Sequence, residues 1–135
     1  MEVGSIEQVA FSVQVRLVAD LARAQAYYRD VLGCEVTDWW AVRDDFALGF
    51  KLMQADRPED VSPNRPGKGQ SVPWDTYAYV DTHSELDALY RTLAERGARI
   101  IQTPSVTEAD WGVWKEFAIA DPDGYAIAFG SGKKE

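Results

Sequence analysis

The sequence predicts an α+β fold built from two similar units, and two observations carry that prediction. First, Val18–Val36 (VADLARAQAYYRDVLGCEV) reads as a strand end, a capped amphipathic helix, a glycine stop and a new strand, and Tyr77–Gln102 repeats the arrangement. Second, strands cluster after each helix instead of alternating with helices one for one, which separates an α+β class from α/β.

Taken in order, Met1–Glu7 is an extended or short helical lead-in. Phe11–Val18 alternates, with Phe11, Val13, Val15 and Leu17 on an apolar side and Ser12, Gln14 and Arg16 on a polar one; a strand with one dry face has this period. Asp20 stands where a carboxylate satisfies free backbone N–H groups, so a helix over Asp20–Leu32 is expected, with Leu21, Ala24, Tyr28, Val31 and Leu32 on one face. Gly33 ends it. Glu35–Val42 and Asp45–Met53 read as a hairpin turning near Arg43–Asp44. Gln54–Pro73 holds Pro58, Pro63, Pro66 and Pro73 and is the one long loop, linking the halves. Trp74–Val80 is a strand with Asp75, Tyr77 and Tyr79 on one face and Trp74, Thr76, Ala78 and Val80 on the other. Ser84–Arg96 is the second helix, striped by Leu86, Leu89, Tyr90 and Leu93, and Gly97 stops it. Ala98–Gln102 is a strand, Thr103–Asp110 a loop, Val113–Ala120 a strand and Tyr125–Phe129 the last strand. Asp121–Gly124 is a tight Asp-Pro-Asp-Gly turn, because Pro122 presets φ and Gly124 accepts the left-handed conformation. The tail SGKKE is solvated.

With 135 residues, 46% of them hydrophobic, the chain is long and apolar enough to bury a core as one domain. A net charge of −8 disfavours nucleic acid and anionic membrane surfaces as partners and is compatible with a cationic ligand. A single cysteine, Cys34, excludes an internal disulfide. The N-terminal stretch has no basic segment followed by an apolar run, and nothing approaches the ~18 apolar residues of a membrane span, so a cytoplasmic protein is expected.

Chemistry-bearing motifs are few. The only histidine, His83, sits at the start of the second helix, where a surface or capping role is expected. Cys34 follows a helix stop with no histidine nearby, which favours a buried structural thiol. Asp44–Asp45 and Asp121 with Asp123 are accounted for by turn chemistry. No Gly-rich loop ending in Lys-Ser/Thr is present.

VADLARAQAYYRDVLGCEV, VDTHSELDALYRTLAERGARI and WGVWKEFAIADPDGYAIAFG together resemble the glyoxalase/bleomycin-resistance/dioxygenase (vicinal oxygen chelate) superfamily over roughly Ala10–Gly130. The resemblance implies two βαβββ modules, at about 8–56 and 73–131 of a single 1–135 domain, whose mixed sheets curl into a cup, and a homodimer. It wants one more strand in the first half than the pattern above provides, near Leu52–Ala55. Metal-using members carry four ligands whose positions fall here at Val13, Gly49 or Lys51, Asp75 and Ala128. Imidazole and carboxylate donors hold a divalent ion; of these positions only Asp75 offers one. Gln14 replaces Val13 only by a slip to the opposite face. The expectation is a site with no metal and no cofactor.

Losing those ligands leaves a drier, roomier cup, with Ala126 and Ala128 facing it and Ile127 and Phe129 packing under the helices. Aromatic walls with a few acids suit a flat or cationic small molecule. The expected ligand contacts are Trp39, Phe46, Leu48, Asp75, Tyr77, Trp111, Trp114 and Ala128. Trp39 and Trp40 point opposite ways, so only one faces inward. The leading reading is metal-independent binding, as in the antibiotic-sequestering branch that Trp111-Gly112 before Asp-Pro-Asp-Gly resembles. The alternative is a divergent lyase, epimerase or dioxygenase using an atypical metal site or Asp75 as acid or base. A third reading is an interaction module whose dimer surface is the functional part.

Overall fold

The computed structural model describes residues 8–64 and 74–134. In chain order the elements are β1 (Gln14–Val18), α1 (Leu21–Asp30), β2 (Glu35–Val36), β3 (Ala41–Arg43), β4 (Leu48–Gln54), a 3-10 turn at Pro58–Asp60, β5 (Thr76–Tyr79), α2 (His83–Glu95), β6 (Arg99–Ala109), β7 (Gly112–Ala120) and β8 (Ala126–Ser131). The strands form two four-stranded sheets in the orders β1-β4-β3-β2 and β5-β8-β7-β6. In each, the first strand runs parallel to the last, Gln14 opposite Phe50 and Thr76 opposite Ile127, and the remaining pairs are antiparallel. Each half is therefore βαβββ, with the helix supplying the crossover that a parallel pair needs.

Local chemistry sets the helix ends. Asp20 Oδ1 accepts from the backbone N–H of Arg23 (3.1 Å), and Thr82 Oγ1 accepts from that of Glu85 (3.1 Å). Tyr28, Leu32 and Phe50 from the first half join Leu86, Leu93, Phe117, Ile119, Ile127 and Phe129 from the second in one buried cluster. The Asp-Pro-Asp-Gly turn fastens the halves together, a role beyond the turn chemistry read from sequence. Fully buried Asp121 accepts from Tyr28 Oη (2.7 Å) and from the backbone N–H groups of Asp123 (2.8 Å) and Tyr125 (2.9 Å). Burial pushes its carboxyl upward against those hydrogen bonds.

Four expectations are corrected. The extra strand of the first half is not near Leu52–Ala55: the expected strand Glu35–Val42 divides into β2 and β3, because Thr37 Oγ1 accepts from the N–H groups of Trp39 and Trp40 and turns the chain there. Thr103–Asp110 is not a loop. Strand β6 runs through it to Ala109, and Pro104 is tolerated because β6 is an edge strand with register shifts around Gln102. The faces of β1 are reversed: Arg16 and Val18 are buried, while Val15 and Leu17 are 55% and 37% exposed. The Arg16 guanidinium lies over the rings of Phe50 and Tyr125 and donates to Thr76 Oγ1 and Gln14 Oε1, so a long cationic side chain fills the inner side. His83 is buried, and its Nε2 must carry the proton, since it faces the carbonyls of Val113 (3.2 Å) and Ser131 (3.1 Å). The lead-in Met1–Glu7, residues 65–73 of the long loop and Glu135 of the tail lie outside the described residues.

Candidate ligand-binding site

The two faces of the second sheet are chemically distinct. Phe117, Ile127 and Phe129 go to the core with Tyr90 and Leu93. By strand alternation, Tyr77 and Tyr79 of β5, Ala128 and Gly130 of β8, and Trp114, Glu116 and Ala118 of β7 share the outer face. The register sets them in rows, Tyr79 beside Gly130 beside Glu116, and Tyr77 beside Ala128 beside Ala118. Gly130 is required by close approach: a Cβ there would collide with Tyr77 Oη and the Trp114 ring. Gly132 likewise lies beneath the Trp114 ring.

On this glycine floor the polar groups form a closed set. Trp114 Nε1 donates to Tyr77 Oη (2.8 Å), and Tyr77 Oη donates to Glu116 Oε1 (2.6 Å), which also accepts from Trp114 Nε1 (3.2 Å). Gln102 Nε2 donates to Glu116 Oε2 (3.1 Å). Burial, and then the hydrogen bond to Glu116, push the Tyr77 hydroxyl well above the ordinary tyrosine value, so it remains a donor to the carboxylate. Trp74 packs edge-on against Tyr77 at 4.7 Å, and Tyr79 stands at 70° to Trp114 with ring centroids 6.0 Å apart. These four rings and Glu116 line an open hollow of about 530 Å³. Ring faces around one carboxylate attract a flat or cationic group.

Of the residues expected from sequence, Tyr77 and Trp114 come together here; Ala128 pairs with Tyr77 in the sheet but is fully buried and does not line the hollow. Trp111 sits at the edge, 63% exposed with its ring 6.2 Å from that of Trp114. Asp75 lies beside the site, but its carboxylate accepts from the backbone N–H groups of Asn64 and Ala126 and so holds the loop onto β8. Trp39 belongs to the first half and is 71% exposed, with Lys51 Nζ 5.8 Å from its ring centre. Phe46 is in the β3–β4 turn, packed on Phe11 at 4.3 Å and Trp40 at 5.1 Å. Leu48 points into the core. Glu116, Trp74, Tyr79 and Gln102 were not among the expected contacts. The period-2 spacing of Trp114 and Glu116 was the available signal for Glu116.

The four positions that metal-using relatives fill with ligands do not fit a metal here. Val13 packs over Gly49, where an added Cβ would stand 2.8 Å from Val13 Cγ1. Ala128 has no donor, and Asp75 is engaged by backbone. Among the described residues, no group of three or more His, Cys, Asp or Glu side chains is placed to hold a metal ion. Cys34 is buried, which pushes its thiol up to about 12.

Two βαβββ units with matching strand order, and a chemically specialised outer sheet face, define a glyoxalase/bleomycin-resistance type of fold. The chain belongs to the Glyoxalase/Bleomycin resistance protein/Dioxygenase superfamily, whose family model matches residues 6–129. Among solved structures, a superfamily member from Alicyclobacillus acidocaldarius is 19% identical with a TM-score of 0.67, covering 90% of this chain and 89% of that one. A member from Sphaerobacter thermophilus is 21% identical with a TM-score of 0.59, covering 92% and 98%. A virulence protein from Salmonella typhimurium is 18% identical with a TM-score of 0.59, covering 95% and 98%. At these identities the likeness concerns the fold. No curated protein matches the chain. Among the described residues, no helix is long and apolar enough to cross a membrane.

Proposed function

We propose that the protein binds a small flat or cationic molecule on the outer face of its second sheet and holds it without transforming it, in the manner of a drug-sequestering protein. The observation that carries this reading is the Tyr77–Trp114–Glu116 set, walled by Trp74 and Tyr79 and seated on Gly130. A hollow of about 500 Å³ beside the β3–β4 turn is the weaker choice: Trp40 and Phe46 are packed on each other, and Asp44 is paired with Arg43 at 2.9 Å. Acid–base chemistry by Asp75 is disfavoured because both of its oxygens accept from backbone N–H groups.

Tryptophan-fluorescence titration with a bleomycin tests the sequestration reading. Saturable quenching that Trp114→Leu abolishes is expected. Quenching that survives Trp114→Leu overturns the assignment to this face.

We also propose that a second copy of the chain covers the outer face of the first sheet, where Val15, Leu17 and Met53 are exposed. Light scattering should report twice the chain mass of 15.1 kDa, and a monomer at tens of micromolar contradicts the pairing.

A further inference from the structure

Resting on the binding reading above, we infer that the second-sheet hollow selects a cation that carries no N–H donors, a trimethylammonium group on a free molecule or on a lipid headgroup. The polar groups of the hollow use one another. Tyr77 Oη donates once, to Glu116, and accepts once, from Trp114 Nε1. Glu116 Oε1 takes both Tyr77 and Trp114, and Oε2 takes Gln102. A carboxylate has about four acceptor sites; before any ligand arrives two are filled, by Tyr77 and Gln102, and a third shares the single Trp114 N–H with Tyr77 Oη. Yet the charge of Glu116 is not neutralised: among the described residues no Lys, Arg or His forms an ion pair with it.

The hollow thus presents one uncompensated negative charge, π faces at mutual angles of 28° (Tyr77 and Trp114) and 70° (Tyr79 and Trp114), and few free acceptors, one site on Glu116 Oε2 and the Tyr79 hydroxyl. A primary ammonium brings three N–H donors and strong hydration, and would leave donors unmet on entering. A guanidinium brings five donors in a fixed fork. A methylated ammonium needs no acceptor, is weakly hydrated, and gains from the ring faces and from the carboxylate field at once. Its charge is permanent, so its recognition does not depend on the ligand's own protonation.

The test is calorimetric titration of the intact protein at neutral pH with benzyltrimethylammonium, benzylamine and benzyl alcohol. These share a ring and differ in charge and donors. The expected result is that benzyltrimethylammonium binds at least about tenfold tighter than either of the others, a margin of about 1.4 kcal/mol. Glu116→Gln should remove most of that preference. Tyr79→Leu, at a residue 78% exposed and therefore safe for folding, should weaken the trimethylammonium probe more than benzyl alcohol. Benzylamine binding as tightly as benzyltrimethylammonium overturns the donor-free selection. Equal binding of all three overturns cation selection while leaving the aromatic-binding reading intact. Failure of all three at millimolar concentration overturns both. For a probe that binds as expected, co-sedimentation with phosphatidylcholine vesicles assigns the group to a lipid headgroup, and its absence assigns it to a free molecule.

Discussion

The two sheets share strand order and crossover, yet their outer faces differ in kind. The first carries Val13, Val15, Leu17 and Met53, with Lys51 as its cation. The second carries Trp74, Tyr77, Tyr79 and Trp114 around an anion, Glu116. Equivalent backbones therefore do not give equivalent chemistry. Which residues occupy the outward parity of each strand decides that, and the glycine at 130 lets rings replace aliphatic side chains there.

The largest expected effect comes from filling that glycine. Gly130→Ala should cost about 1–3 kcal/mol in urea unfolding, as overpacking does, and should displace Tyr77 and Trp114. Gly49→Ala, on the outer face of the first sheet, should cost less, because the atom it meets is a Val13 methyl ahead of β1. Equal costs would break the distinction between the faces. Next, Tyr28→Phe removes the donor to buried Asp121 that ties the halves, at an expected cost of about 1–3 kcal/mol in the same assay. No measurable loss would show that the tie is not needed.

Titration sharpens the contrast further. Tyr27, Tyr28 and Tyr77 all have raised values, so their protonated forms favour the fold below about pH 10, the free tyrosine value, and that contribution is lost as pH rises past it. Absorbance of tyrosinate against pH should show a late component coincident with unfolding, and all tyrosines ionising near pH 10 in the folded protein would contradict it. Cys34 should resist alkylation at pH 8 until the chain unfolds. The smallest effect is expected for Trp39→Leu, within about 0.5 kcal/mol of the parent stability, as for other exposed positions.

Much of the fold was legible because its signals are local. The cap at Asp20, stops at Gly33 and Gly97, and the apolar stripes of both helices need no tertiary information. Period-2 alternation also placed Ile127 and Phe129 inward correctly. What alternation does not encode is which side is covered. Arg16 is inside because Phe50 and Tyr125 stack on it, and that depends on residues far along the chain. The candidate site was half legible for the same reason. Tyr77 and Trp114 are marked by residue type and parity, whereas Glu116 is defined by hydrogen bonds arriving from three other side chains. Asp75 shows the converse: its residue type drew attention, and its partners proved to be backbone.

The central claim, that the second sheet and not the first carries the site, is tested most directly by calorimetric titration of benzyltrimethylammonium into the parent, Trp114→Leu and Trp39→Leu proteins side by side. The account predicts that Trp39→Leu binds as the parent does and that Trp114→Leu loses at least about tenfold in affinity. Loss on Trp39→Leu with retention on Trp114→Leu would move the site to the first sheet and contradict it.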